Sequence, residues 1–205
     1  WIGLTVGPRW THDTIDYAHR RFPGVNRTTG LPATAPGVSG APAGGTIASG
    51  GNGTVLSTGS SSNSNFSGKA VLTVKPSDDV MLYGSYTRGY KGPAFNVFFN
   101  HAAPTNSVPI DEETSDSFEL GIKSRFADNR IQLNASAFQV TYDGFQANNF
   151  VLLNGAVVTN LTNAGTVRST GFELDALANP VEGLDLFGSV AYADAKVRRF
   201  NPNPL

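Results

Sequence analysis

Apolar residues fall on every second position over stretch after stretch of this chain, and a period of two leaves few folds open. In FELGIKSRF, Phe118, Leu120 and Ile122 alternate with Glu119, Gly121 and Lys123, and Arg125 continues the polar series. In TGFELDALA, Phe172, Leu174 and Ala176 alternate with Glu173 and Asp175, and LDLFGSVAY sets Leu184, Leu186, Val190 and Tyr192 against Asp185 and Ser189. Near the start, Ile2, Leu4 and Val6 alternate with Gly3, Thr5 and Gly7. Successive side chains of a strand point to opposite faces, so each stretch predicts a strand with one apolar and one polar face. No stretch carries a helical period. Soluble sandwiches and membrane barrels both alternate in this way.

Connection lengths tip the balance towards the barrel without closing off the sandwich. KAVLTVKP and VMLYGSYTRGY flank a turn at Ser77, Asp78 and Asp79; FELGIKSRF and RIQLNASAFQVTYDGFQ flank Ala127, Asp128 and Asn129; TVRSTGFELDALA and LDLFGSVAYADAKVRRF flank NPVEG, from Asn179 to Gly183. Between these hairpins the connections are long. Pro23 to Gly68 is mostly Gly, Ser, Thr, Asn, Ala and Pro without a period and reads as one long loop (23–67). Lys91 to Ser117 and the region around Ala147 to Asn163 read as two more. About seven strands result, longer than the usual ~5–6 residues. With aromatics near their ends, they predict an all-β, antiparallel up-and-down transmembrane barrel, apolar towards lipid and polar towards a wet lumen.

Composition agrees with short turns and strands: 205 residues hold 23 Gly and 12 Pro, and only 15% are charged. A formal charge of −1 provides no global field for nucleic acid, and the absence of cysteine removes disulfides and thiolate metal sites. No run of about 18 apolar residues could form a membrane helix. Trp1 opens on strand-like sequence without a signal peptide, so the expectation is that the chain is not exported or that its native start lies upstream. His12, His19 and His101 are scattered, and none has a second ligand at metal-binding spacing. Asp111, Glu112 and Glu113 lack the alternating oxygen donors and glycine of a calcium loop and read as solvated. No nucleophile elbow supports hydrolysis, so no enzyme, cofactor or metal is expected.

Three segments in order, YGSYTRGYKGPAFN, ETSDSFELGIKSRFADNRIQLNASAFQVTYDGFQ and NAGTVRSTGFELDALANPVEGLDLFGSVAYADAKV, resemble consecutive barrel strands of TonB-dependent outer-membrane receptors; WIGLTVGPRWTHDTIDY resembles an earlier strand. The resemblance implies a 22-stranded barrel with a lumenal plug domain. It implies a multi-pass protein of the Gram-negative outer membrane that imports an iron–siderophore or similar scarce nutrient, driven by the TonB complex. Seven strands cannot close such a barrel, and neither a plug nor a terminal aromatic strand is read, so the chain is expected to be a fragment of a longer receptor. The alternative is a non-transporting adhesin or structural surface module.

In this frame the short turns face the periplasm and the long loops the exterior. Leu82 and Tyr86 then face lipid, and Tyr83, Ser85 and Thr87 the lumen. Arg88, Tyr90 and Lys91 mark the outer rim as candidate contacts for an anionic chelate, against the alternative that Arg88 and Lys91 pair with lipopolysaccharide phosphates or with Asp111, Glu112 and Glu113. Glu119, Lys123, Arg125, Arg168, Glu173 and Asp175 are expected on the lumen wall as a charge ladder, or as contacts to the plug.

Overall fold

The computed structural model describes residues 1–21, 54–95, 109–153 and 156–201. They form nine strands and, among the described residues, no helix: β1 (Ile2–Arg21), β2 (Thr54–Ser77), β3 (Val80–Lys91), β4 (Glu113–Phe126), β5 (Ile131–Asp143), β6 (Gln146–Leu153), β7 (Ala156–Asn163), β8 (Gly165–Val181) and β9 (Leu184–Phe200). Seven make one antiparallel sheet in the order β1-β2-β3-β4-β5-β8-β9, and β6 and β7 form a separate hairpin. Every neighbour in the large sheet is a sequence neighbour once that hairpin is set aside. This is the meander a barrel wall requires, here as an open section.

The expected loop of residues 23–67 is shorter than the sequence suggests. Residues 54–67 belong to β2, whose pairing with β1 runs from Ile2↔Val74 out to Arg21↔Thr54. Apart from Phe66, the cross-strand partner of Trp10, their Ser- and Asn-rich sequence carries no apolar period. The rest of that loop, residues 23–53, lies outside the described residues, as does His101. The region around Ala147 to Asn163, expected as loop, contains the β6–β7 hairpin. The short turn after β4 places Ala127, Asp128 and Asn129 all at positive φ (52°, 54° and 66°). Asp and Asn tolerate that conformation and Ala does so at a cost, so the turn is tight and locally strained.

Following the register sideways gives rows of side chains on one face. One row reads Ile2, Val74, Leu82, Ile122, Ala135, Leu174, Val190; the next reads Leu4, Leu72, Gly84, Leu120, Ala137, Phe172, Tyr192. Most of these side chains are exposed: Leu120 has 70% of its surface free, Ile2 73% and Leu4 69%. Among the described residues the buried hydrophobic ones are Phe95 and Ile110 alone. A sheet with a continuous apolar face and no core beneath it needs another solvent, and lipid is the one such a band fits.

The band is staggered. On β1 it extends to Trp10; on β9 it ends at Tyr192, whose row meets β1 at Leu4. A climb of six residues at ~3.3 Å each, over six strand steps of ~4.8 Å, inclines the strands by roughly 35° to the band normal. That lies at the lower end of the ~35–45° tilt of membrane barrels.

Candidate functional site: the inner wall and the outer rim

The face opposite the band is polar. Tyr83, Ser85 and Thr87 alternate against Leu82 and Tyr86, as the period predicts. Row by row, this face carries Met81, Lys123, Asn134, Asp175 and Ser189; then Tyr83, Gly121, Ser136, Glu173 and Ala191; then Ser85, Glu119, Phe138, Gly171 and Ala193. Gly121 leaves room for the ring of its partner Tyr83, which reaches across to donate to Glu119 Oε1 at 2.5 Å. Asn134 donates to Asp175 at 2.7 Å, and Lys123 lies 6.0 Å from the Tyr83 ring centroid. Arg125 sits on the same face, one step nearer the short turns, opposite Gln132. In the row above Glu119 the wall carries no charge: Thr87, Ser117, Val140, Ser169 and Ala195. Charge is thus gathered in the half nearer the short turns.

Two expected wall or mouth residues face the other way. Arg168 shares its row with Arg88, Asp116, Thr141 and Lys196, on the face of Phe172 and Leu174, opposite to Glu173 and Asp175. It donates to Thr141 Oγ1 at 3.3 Å. Arg88 also lies on this outward face, where Asp116 accepts from it at 3.1 Å and from Tyr86 at 2.5 Å. Its partner is therefore Asp116, not Asp111, Glu112 or Glu113. Lys91 is exposed on the opposite parity, in register with Glu113. Arg88 and Lys91 do not converge on one ligand position.

What the structure gathers at the long-loop end is a polar knot on the inner side, assembled from four connections. After β3, residues 92–95 turn back, and Ala94 and Ile110 exchange backbone hydrogen bonds of 3.0 and 2.7 Å. Phe95, only 6% exposed, stacks on Tyr17 of β1 with ring centroids 5.2 Å apart. Glu112 Oε2 accepts from Asn63 and Asn65 of β2 at 2.7 and 3.2 Å. Glu113 accepts from the Gln146 backbone at 2.6 Å, while the Gln146 side chain donates to the carbonyls of Gly92 and Asp111 at 2.9 Å each. Asn163 closes the set: its amide donates to the carbonyls of Asp111 and Gly144, and its oxygen accepts from Asp111 N. Tyr90, above the apolar band, turns its hydroxyl towards Asp13; burial, aided by that carboxylate, pushes its pKa up to about 12 and keeps it a neutral hydroxyl.

Of the rim residues expected from sequence, only Tyr90 enters this knot. Asn63, Asn65, Gln146 and Asn163 escaped the reading because Asn and Gln in a loop-like composition carry no periodic signal. Only the partner positions reveal them.

Comparison with known proteins agrees with this architecture. Residues 2–205 match the family model described as "TonB dependent receptor-like, beta-barrel". The chain is 26% identical over 134 residues to the "Probable TonB-dependent siderophore receptor PiuA" of Acinetobacter baumannii, an alignment covering 64% of this chain and 17% of that protein. Among solved structures it resembles the ferric-catecholate import receptor Fiu of E. coli K12 (TM-score 0.63, 17% identity, 98% of this chain, 26% of that one). It also resembles the ferric yersiniabactin uptake receptor FyuA of Yersinia pestis (TM-score 0.61, 22% identity, 95% and 24%). The chain therefore spans about a quarter or less of each of these three proteins.

Proposed function

This chain belongs to the TonB-dependent receptor-like β-barrel family, and from that premise we propose that it is a seven-stranded section of the wall of an outer-membrane receptor importing an iron chelate. In a barrel of about 22 strands it would supply roughly a third of the circumference. The observation that carries this reading is the coreless sheet itself: an outward apolar band that no soluble fold would leave uncovered, and behind it a polar wall.

The long-loop end then faces the exterior and the short turns the periplasm. The charged half of the inner wall, with Glu119, Lys123, Arg125, Glu173 and Asp175, lies where a plug domain elsewhere in the receptor would dock, its mixed signs suiting a partner with both acids and bases. Lys91 and Tyr90, inward or inward-turned at the rim, are the residues of this section placed to meet an anionic chelate. Arg88 is held outward, at the level where lipid headgroups begin. Energy from the TonB complex would reach this wall only through the plug.

The relatives named for siderophore uptake support the substrate class. The test is uptake of radiolabelled ferric siderophores by cells expressing the receptor that carries this chain, with and without the energy coupler. Coupler-dependent accumulation is expected for at least one chelate. Equal accumulation in both strains across a panel of catecholate, hydroxamate and mixed chelates would overturn the import reading.

A further inference from the structure

Three buried side-chain polar atoms among the described residues make no hydrogen bond of ordinary geometry, Thr11 Oγ1, Asn65 Oδ1 and Tyr90 OH, the last of these facing the Asp13 carboxylate, and all three lie at the outer rim. Thr11 and Asn65 are direct cross-strand partners on the inner face of β1 and β2, which sets their Cβ atoms ~4.5–5.5 Å apart. Asp13 and Asn63 form the next pair on that face, ~7 Å further out. Asp13 and Tyr90 both close on Gly92, where a Cβ would lie 3.1 Å from Asp13 Oδ2 and 3.6 Å from the Tyr90 hydroxyl. Glu112 is fixed over the same face by the amides of Asn63 and Asn65. Asn65 is only 8% exposed; with its nitrogen committed to Glu112, its oxygen is an unused acceptor inside the cluster.

The charges are unbalanced as well. The ion pairs among the described residues join Arg88 to Asp116 and Lys196 to Asp194, and neither involves Asp13 or Glu112. Among the described residues, two half-buried carboxylates, an amide oxygen and two hydroxyls thus lie together with no cation in ion-pairing contact with either carboxylate. Buried polar groups are rarely left unpaired, and buried charges rarely uncompensated. A water molecule would satisfy the hydroxyls and the amide but would not offset two negative charges. A hard cation does both.

We propose that Asp13, Glu112, Asn65 Oδ1 and Thr11 Oγ1 bind Ca2+, with the Tyr90 hydroxyl orienting a water in its shell. No three acidic or histidine side chains converge among the described residues, so neutral oxygens complete the ligand set. Ligands drawn from β1, β2 and the segment before β4 suit the irregular, adaptable shell of Ca2+ better than the strict octahedron of Mg2+. The ion ties the extended β1–β2 hairpin to the base of the β3–β4 connection. Sequence spacing around Asp111, Glu112 and Glu113 excludes a calcium loop, but not a site whose donors come from separate strands.

The receptor carrying this chain, purified in detergent and stripped with chelator, is titrated with Ca2+ by calorimetry and with Tb3+ by luminescence excited through tyrosine. Saturable Ca2+ binding is expected in the ~10⁻⁴–10⁻³ M range of extracellular sites. Asp13→Asn should weaken it at least tenfold, Asp111→Asn should leave it unchanged, and Tyr90→Phe should cut the Tb3+ signal several-fold while the fold persists. No Ca2+ binding, binding unaffected by Asp13→Asn, or Tb3+ luminescence undiminished in Tyr90→Phe would each overturn the proposal. If Asp13→Asn does not fold, the Tyr90→Phe luminescence decides. The readout is metal binding, so its failure is separate from failure of the import reading.

Discussion

The two halves of β2 are built on opposite rules. From Lys69 to Val74 the strand is paired on both sides, and its outward residue Leu72 is half exposed. Beyond Gly68, at a φ of 151° that favours glycine, pairing with β3 ends and only β1 remains alongside. There Asn65 and Ser67 are buried while Phe66 on the other face is open. Below, apolar side chains are exposed; above, polar side chains are buried. The lower half relies on a surrounding solvent for its apolar face, and the upper half on hydrogen bonds that its own chain supplies.

Substitutions that exchange the two rules should show it, the largest effect coming first. Leu120→Arg puts a charge in the middle of the apolar band and should cost about 2–4 kcal/mol of folding free energy in lipid, read from denaturant titration of the receptor in vesicles. The same change at Ser117, on the inner wall of the same strand, should cost far less; equal costs would mean the band does not face lipid. Glu112→Ala should cost about 1–3 kcal/mol locally, because it strands two amide donors, one of them on buried Asn65. Hydrogen exchange should then accelerate around residues 109–112 and leave β4 and β5 unchanged. Arg88→Ala should cost about 0–1 kcal/mol, since the pair with Asp116 is partly exposed at the boundary between the two regimes. A larger loss in the same vesicle titration would place Arg88 deeper than the register implies.

The lower regime was legible in the sequence and the upper one largely was not. Alternation in FELGIKSRF or TGFELDALA records a difference between two environments, and lipid against water is a large difference. Apart from Phe66, residues 54–67 and the knot have mostly polar groups on both sides, so the period vanishes although the strand continues. Arg168 is a different case: it stands four residues before Phe172, and the period of two already puts both on one face. Charge alone suggested the lumen. The β6–β7 hairpin also left a trace, an Asn154-Gly155 pair between the apolar runs FVLL and AVV, of the type that favours hairpin turns. The partners of Gln146 and Asn163 left none, since nothing local marks an amide that will bridge two distant carbonyls.

The stagger of the band has a geometric consequence of its own. Because the strands are inclined, a row of hydrogen-bonded neighbours winds around the wall like the thread of a screw. The row through Pro8, Gly68, Arg88, Asp116, Thr141, Arg168 and Lys196 starts on β1 below Trp10, inside the greasy zone. It passes Arg88 two residues above Tyr86, and reaches Lys196 four residues above Tyr192, some 13 Å further along the strand. Arg88, Arg168 and Lys196, which share this thread, therefore sit at different heights above the apolar band. A flat sheet of anionic headgroups meets them one at a time, and a true belt of charge would have to step back about one residue with each strand.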